Sequence, residues 1–455
     1  MSAHVAASLS KMKAAGAHPA ELAAMRRRLE QLDHPEAGRL SGDVLEPLGD
    51  LPRLEDLPEP DGARAREVLD RLAVVKLNGG LGTSMGLSGP KSLLQVKPGK
   101  SFLDVLATQV LALRERYRAR LPLLLMNSAT TQGPSLDVLR GYDGLRDQDV
   151  PLDFLQGREP KLRADDLMPV EWPANPDLEW CPPGHGDLYT ALRASGTLDI
   201  LLGGGIRWVF VSNSDNLGAL ADVRLAAWIA AEEVPFTMEA VRGTPADRKG
   251  GHLALRDGQV TLRESAQVPD GDTSFGEVDR WRYYNTNNLW VDLQALKELQ
   301  AADPAAPELP LIVNRKTVDP RDKSSTKVIQ LETAMGAAVG SIPGARAVQV
   351  PRSRFAPVKT TNDLLVVWSD AYELGDDGRM TPTFDGPGPV VTLDDDHYKL
   401  VPDFEQRFPA GAPSLRRCTR LEVEGDVTFG ADVVVGGDVH VEGPRHVPDG
   451  EILQG

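Results

Sequence analysis

Leu72-Ala-Val-Val-Lys-Leu-Asn-Gly-Gly-Leu-Gly-Thr-Ser-Met-Gly-Leu-Ser-Gly-Pro-Lys91 is the stretch on which the reading of this chain turns. An apolar, β-rich run from Leu72 to Leu77 passes directly into a loop with glycines at 79, 80, 82, 86 and 89, closed by Pro90-Lys91. Glycines placed straight after a strand let backbone N–H groups approach a polyphosphate, because no Cβ stands in the way. The loop is not a Walker A element, since Pro90 separates Gly89 from Lys91. Nor is it a dinucleotide fingerprint, since the glycine that should follow Gly80-Leu-Gly82 comes one position late, at Gly86.

Outward from this loop, β-rich runs recur at Leu121 to Met126, Trp208 to Ser212 and Phe236 to Val241, with helical patterns over Phe102 to Arg118 and Ala221 to Glu232. The alternation predicts an α/β fold built on a mainly parallel sheet, whose ligands gather at the carboxyl ends of the strands. Upstream, Leu9 and Met12, then Leu22, Met25, Leu29 and Leu32, recur at helical spacing up to a break at His34-Pro35. Leu51 to Gly62, with Pro52, Pro58 and Pro60, reads as a connector. Downstream, Gly-Asp-Val recurs at 425 and 437 among short alternating strands. An internal, glycine-punctuated repeat favours two or three rungs of a parallel β-helix over an antiparallel meander. The expected division is therefore 1–70 for an N-terminal helical appendage and linker, 71–375 for the α/β domain, and 376–455 for a small C-terminal β-helix.

Composition narrows the function. The 455 residues are 41% hydrophobic and 25% charged, with a formal net charge of −16. That field repels nucleic-acid backbones and anionic membranes, so neither is an expected partner, and locally converging cations become informative. Two cysteines, Cys181 and Cys418, make no disulfide framework or metal motif. With no apolar signal segment at the start and no run near about 18 apolar residues, the expected location is the cytoplasm.

Several residues carry chemistry on this reading. Lys91 and Lys359 each follow a proline-containing loop, which fixes the backbone behind a cation. Asp215 falls just past the apolar run Trp208 to Val211, where one carboxylate suits Mg²⁺ shared with phosphate oxygens. The residues alone favour this equally with an Asx-turn or helix cap. Asn213 alternates onto the same side as Asp215. Pro182-Pro-Gly-His-Gly-Asp187 has the rigid prolines and permissive glycines of a ligand-facing loop.

The first loop, read as Lys76 to Lys91, is followed in order by Glu179-Trp-Cys-Pro-Pro-Gly-His-Gly-Asp187, Phe210-Val-Ser-Asn-Ser-Asp-Asn-Leu-Gly218, Lys249-Gly-Gly251, Asn285-Thr-Asn-Asn-Leu-Trp290, Val328-Ile-Gln-Leu-Glu-Thr-Ala334, Pro351-Arg-Ser-Arg-Phe-Ala-Pro-Val-Lys-Thr-Thr361 and Gly425-Asp-Val-Thr-Phe-Gly430. From about residue 74 onward this series resembles the UTP–glucose-1-phosphate uridylyltransferases, or UDP-glucose pyrophosphorylases, of the eukaryotic-like type. The resemblance implies a Rossmann-like nucleotidyltransferase domain that uses Mg²⁺, UTP and glucose 1-phosphate. It implies catalytic roles for Lys91 and Lys359, and a Mg²⁺ ligand in Asp215. It implies substrate contacts from Leu77, Asn78, Gly79, Gly80, Met126, Asn213, Ser214 and Asp215. By the same resemblance Gly184 lies against uracil and His185 against the phosphates or sugar, while Gly251, Asn285 and Asn287 touch sugar hydroxyls. Gln156 matches the family's uracil-reading glutamine, whose amide offers both donor and acceptor, within a local pattern that departs from the family's at Leu155, Gly157 and Glu159.

Two other functions compete. One is a pyrophosphorylase for another sugar phosphate, such as N-acetylglucosamine 1-phosphate or galactose 1-phosphate. The other is a catalytically silent nucleotide-sugar-binding scaffold, which the joint retention of Lys91, Asp215 and Lys359 argues against. The chain stops soon after the last expected rung, and a monomer or small homo-oligomer is expected for that reason.

Overall fold

The computed structural model describes residues 2–34, 38–384, 386 and 388–455. Its organising strand is β1 (Leu72–Asn78), in which Leu72 and Val74 enter one hydrophobic cluster while Ala73 and Val75 enter another. A strand apolar on both faces belongs in the middle of a sheet covered on both sides. The other strands of this sheet are β2 (Leu123–Asn127), β3 (Asp153–Leu155), β4 (Trp208–Asn213), β5 (Phe236–Arg242), β6 (His252–Arg256), β7 (Gln259–Arg263) and β8 (Tyr283–Asp292). The pair β9 (Leu311–Thr317) and β10 (Lys327–Thr333) forms a smaller antiparallel sheet with residues 162–163, and β11 (Arg346–Gln349) returns to the main one.

The main sheet runs β7-β6-β8-β4-β1-β2-β3, with β5 against β8 and β11. Pairings β4-β1, β1-β2, β2-β3 and β5-β11 are parallel, and β8 is antiparallel to both β4 and β5. The architecture is thus mixed α/β with a mainly parallel centre. The expected strands and the helices Phe102–Tyr117 and Val223–Glu232 are present. The second strand starts at Leu123 rather than Leu121, whose φ of 36° is incompatible with extended backbone. Parallel pairing brings Leu77 level with Asn213 on one side and Met126 on the other, so the ends of three strands share one edge.

At the N-terminus, α1 (Ala3–Ala14) and α2 (Pro19–Asp33) form a hairpin whose Val5, Met12, Met25 and Leu29 pack on Leu162, Ile329 and Leu331 of the smaller sheet. A capping box between His18 and Glu21, with Pro19 at the first helical position, starts α2. Pro35, read as part of the break after it, lies outside the described residues. Arg28 carries the hairpin's one buried ion pair with the strand segments beneath, 2.6 Å from Glu159, and both side chains are nearly inaccessible. Burial pushes the Glu159 carboxyl up to about 7 against the opposing charge of Arg28.

The C-terminal segment contains β12 (Val390–Leu393), β13 (Ser414–Glu424), β14 (Val427–Phe429), β15 (Val434–Glu442), β16 (Arg445–Val447) and β17 (Ile452–Gln454). The chain alternates between two parallel sheets, β12-β13-β15-β17 and β14-β16. Arg420 faces Asp438, Val427 faces Arg445 and Val434 faces Ile452, an offset of 18 residues each time. The Gly-Asp-Val recurrence at 425 and 437 is therefore not the structural period. Leu421, Val423, Val427 and Phe429 join the same cluster as Leu364, Leu365, Tyr398 and Phe404, so this segment is packed on the α/β part. Both cysteines are free and buried, and among the described residues no helix is long and apolar enough to cross a membrane.

Replacing Arg28 by Met strands a buried carboxylate, a change worth about 3–5 kcal/mol. Because Glu159 already holds its proton to about pH 7, the sign of the pH effect follows. An acid raised in the folded state loses stability as pH rises through its range, so the variant's denaturant midpoint should drop further at pH 8 than at pH 6. Glu159→Gln in the same background should recover most of the loss. Equal losses at both pH values would contradict the assignment.

Candidate active site

Two strands end at the centre of the site. β1 delivers Leu77, Asn78, Gly79 and Gly80, and β4 delivers Asn213, Ser214 and Asp215. The Ser214 N–H donates to the Leu77 carbonyl at 3.3 Å, joining the two turns. The glycine loop then folds back on itself, with a bridge between Leu81 and Pro90 and the Lys91 N–H donating to the Gly80 carbonyl. This fold-back carries the Lys91 ammonium to the Asp215 carboxylate, 2.7 Å from Oδ2, and to the Val358 carbonyl. The Val358 N–H in turn donates to the Asp215 carbonyl, so Lys359, the next residue, is held beside both. Lys91 and Asp215, far apart in sequence, meet at one strand edge, and the Lys359 charge acts on Glu264 nearby.

Asp215 has one oxygen on Lys91 and the other, Oδ1, buried without any hydrogen-bond partner. A buried acceptor left unpaired is costly. A carboxylate with one free oxygen beside the glycine loop fits Mg²⁺, which takes one or two carboxylates and completes its shell with phosphate and water. Asp215 is the residue that would hold it.

A second group of loops lies over the first. Gln156 sits on Gly79 so closely that a Cβ there would lie 2.2 Å from its Oε1. The neighbouring Gly157 N–H donates to Asp187 at 2.6 Å, which ties the Gln156 turn to the loop carrying Gly184 and His185. Gly184 has φ +80° and rests on Thr333, where a Cβ would come within 2.6 Å of the carbonyl oxygen, so glycine is required on both counts. The Met335 N–H donates to His185 Nδ1 at 3.1 Å, leaving Nε2 as the proton-bearing nitrogen. Burial pulls the His185 pKa down to about 4, so the ring is neutral.

The third group begins at Gly251, whose carbonyl accepts from the Asn285 N–H at 3.0 Å. Asn285 and Asn287 bond each other at 2.9 and 2.8 Å, with Asn287 in the left-handed region at φ 58°. A Cβ on Gly336 would meet Asn285 Nδ2 at 2.8 Å, linking this group to the turn under His185. Of the remaining expected residues, Asn78 and Met126 reach the same strand edge with side chains turned inward. Met126 is 1% exposed in the core, and Asn78 donates to Asn127 and Ser135.

The roles of four residues were missed in the sequence. Glu264 lies 2.6 Å from where a Gly251 Cβ would be. Its carboxyl is pushed up to about 7 by burial, with only the Lys359 charge opposing. Nothing in its sequence context marks it. Glu239 and Arg354 form a fully buried double hydrogen bond at 2.6 and 2.8 Å. Glu239 also accepts from Asn288 and from the Trp290 indole, both at 3.0 Å, and the Arg354 carbonyl accepts from Asn216 at 3.0 Å. A lone charge in the apolar run Phe236 to Val241 was the available signal. Lys76, beneath the same network, donates to Ser212 at 2.6 Å and to the Ala219 carbonyl at 2.9 Å. Burial first, and then the Arg354 charge, bring its pKa down to about 7.

The family model described as UTP–glucose-1-phosphate uridylyltransferase matches residues 26–436. The UTP–glucose-1-phosphate uridylyltransferase of Solanum tuberosum is 40% identical over 407 residues, 88% of this chain and 82% of that protein. The Saccharomyces cerevisiae protein of the same description is 42% identical over 367 residues, 80% of this chain and 72% of its own length. A mutant UDP-glucose pyrophosphorylase from Leishmania major, solved in complex with UDP-glucose, superposes with a TM-score of 0.92 at 41% identity, covering 100% of this chain and 98% of that one.

Removing one partner of the Glu239–Arg354 pair should destabilise the protein by about 3–5 kcal/mol, since a buried charge is left uncompensated. Arg354→Met, Glu239→Leu and the double variant form a cycle read from urea midpoints. The double variant should lose clearly less than the sum of the singles. Additive losses would mean the pair is not the joint it is taken to be.

Proposed function

The chain belongs to the UTP–glucose-1-phosphate uridylyltransferase family and is a nucleotidyltransferase, and on that premise we propose that it catalyses direct displacement at the Lys91, Asp215 and Lys359 cluster, with Mg²⁺ as cofactor. An oxygen of glucose 1-phosphate bonds to the α-phosphorus of UTP, and the bond to the bridging oxygen breaks, releasing pyrophosphate and giving UDP-glucose. The attacking oxygen is already anionic, so no general base is needed, and catalysis is positioning and charge neutralisation. The observation that carries this reading is the contact of Lys91 with Asp215 and Val358, which brings one cation and the carboxylate together at the glycine loop with Lys359 next along the chain from Val358.

Lys91 and Lys359 face the phosphates from opposite loops and stabilise the charge that builds on the departing pyrophosphate. Asp215 would hold Mg²⁺, which when bound would supply positive charge beside the substrate phosphates. Gln156 and the Gly184 backbone read uracil, and Gly79, Gly80, Leu77 and Ser214 shape the floor beneath. Neutral His185 donates from Nε2 to a phosphate or sugar oxygen. Gly251, Asn285 and Asn287 take the glucose hydroxyls, with Glu264 beside them. Met126 and the Asn78 side chain act from behind, supporting the strand edge. Asn213 lies level with Leu77, next to the sugar phosphate.

The same reading extends to the C-terminal sheets as a short parallel β-helix, and to a cytoplasmic monomer or small oligomer. Pyrophosphate release from UTP with Mg²⁺ tests the function. Glucose 1-phosphate should be the preferred acceptor, and equal rates with galactose 1-phosphate or N-acetylglucosamine 1-phosphate would replace it with a broader specificity.

Lys91→Ala and Lys359→Ala should each lower turnover at least about 10²-fold, the scale of losing one preorganised charge-stabilising donor. Near-normal turnover in a folded variant would remove that residue from the mechanism. Asp215→Asn should lower activity and raise the Mg²⁺ concentration needed for half-maximal rate. A Mg²⁺ titration superimposable on that of the parent would contradict the ligand assignment.

A further inference from the structure

On the smaller antiparallel sheet, β9, β10 and the segment 161–164 enclose an open cavity of about 750 Å³. Lys161, Arg315, Lys316 and Lys327 line it, with Pro320 and Val328 among its carbon walls. In a chain of net charge −16 this is a local reversal of sign. The adjacent Arg163 is paired with Asp165 and Asp166. Among the described residues, none of the four lining cations has a carboxylate at ion-pairing distance. Lys161 lies at the base and is 5% exposed, and its ammonium has the Val318 carbonyl, at 3.0 Å, as its hydrogen-bond partner. An ammonium carries three donors, and a buried one is costly without an anion. Burial accordingly lowers its pKa.

We infer that this cavity binds a small organic phosphate, the dianionic head on Lys161 and Lys316 and an apolar body against Ala164 and Pro320. A phosphate dianion satisfies the free donors through charge-assisted hydrogen bonds, and the methylene stems of the lysines extend the carbon walls. The site is separate from the substrate loops. β10 runs from Val328 at the cavity to Thr333, whose N–H donates to the Pro183 carbonyl beside Gly184, a span of roughly 17 Å at strand rise. None of the residues assigned to UTP or glucose 1-phosphate lines it, so the inference stands apart from the reading of that site.

The test is titration calorimetry of the full chain with phenyl phosphate as the probe, alone and with saturating UDP-glucose. One binding site is expected, with its Kd unchanged within twofold by UDP-glucose and at least tenfold weaker in Lys316→Glu. Lys316 is exposed, so this variant should keep the parental thermal midpoint, and it decides the matter even if the buried Lys161→Met variant fails to fold. A folded Lys161→Met should also bind at least tenfold more weakly. Absence of binding to the parent, equal binding to Lys316→Glu, or displacement by UDP-glucose would each overturn the proposal. Inorganic phosphate binding as tightly as phenyl phosphate would overturn the apolar part of it.

Discussion

The buried pair of Glu239 and Arg354 is the constraint on which the site depends. Glu239 projects from β5 and Arg354 from the loop after β11, and neither charge has water to fall back on. Their cost is offset because two further donors converge on the same carboxylate. Asn288 and Trp290 reach it from one face of β8, while Thr286 takes the Glu239 carbonyl. The Arg354 backbone then holds Asn216, the Asn216 side chain accepts from the Ala356 N–H, and Asn216 pairs with Pro357. Asp215 is immediately next to that joint and Lys359 lies two residues beyond its other side, with the Val358 N–H between them donating to the Asp215 carbonyl. Their placement follows from a polar core laid beneath them.

This arrangement explains why the loops bearing the chemistry are short of side-chain bulk and rich in backbone contacts. Gly218 approaches the Ser353 carbonyl so closely that a Cβ would be 2.2 Å from it. Lys76 adds a buried ammonium across β1, β4 and the turn at Ala219, fixing that turn without a carboxylate partner. The result is a rigid frame under a small set of convergent charges, the condition under which preorganised electrostatics stabilise a charged transition state.

The sequence reading succeeded where the signal was local. The run Leu72 to Leu77 declared a central strand followed by a tight glycine turn, because both follow from backbone and side-chain sterics within twenty residues. The paired readings of Asp215 could not be separated from spacing alone. The features that favour the metal reading, an orphaned Oδ1 and a lysine 124 positions away, belong to the fold and not to the spacing. Glu264 was illegible for the same reason, since its burial and its approach to Gly251 are products of tertiary packing. Several motif residues also turned out to be frame: Arg354, Asn288 and Trp290 serve Glu239. In the C-terminal sheets the repeated Gly-Asp-Val signals strand and turn chemistry, while register is set by which apolar residues can enter the core, and that selects an offset of 18.

The central claim is spatial: one strand edge, framed from below by a buried ion pair, holds uracil, phosphates and sugar in three adjoining groups of loops. A crystal structure of this chain with UDP-glucose bound tests it most directly. The account predicts the uracil edge on Gln156 and the Gly184 backbone, the diphosphate within hydrogen-bond reach of the Lys359 ammonium, and glucose hydroxyls on Asn285 and Glu264. UDP-glucose bound with its base away from Gln156 and Gly184, or with its phosphates remote from Lys359 and Asp215, would contradict it.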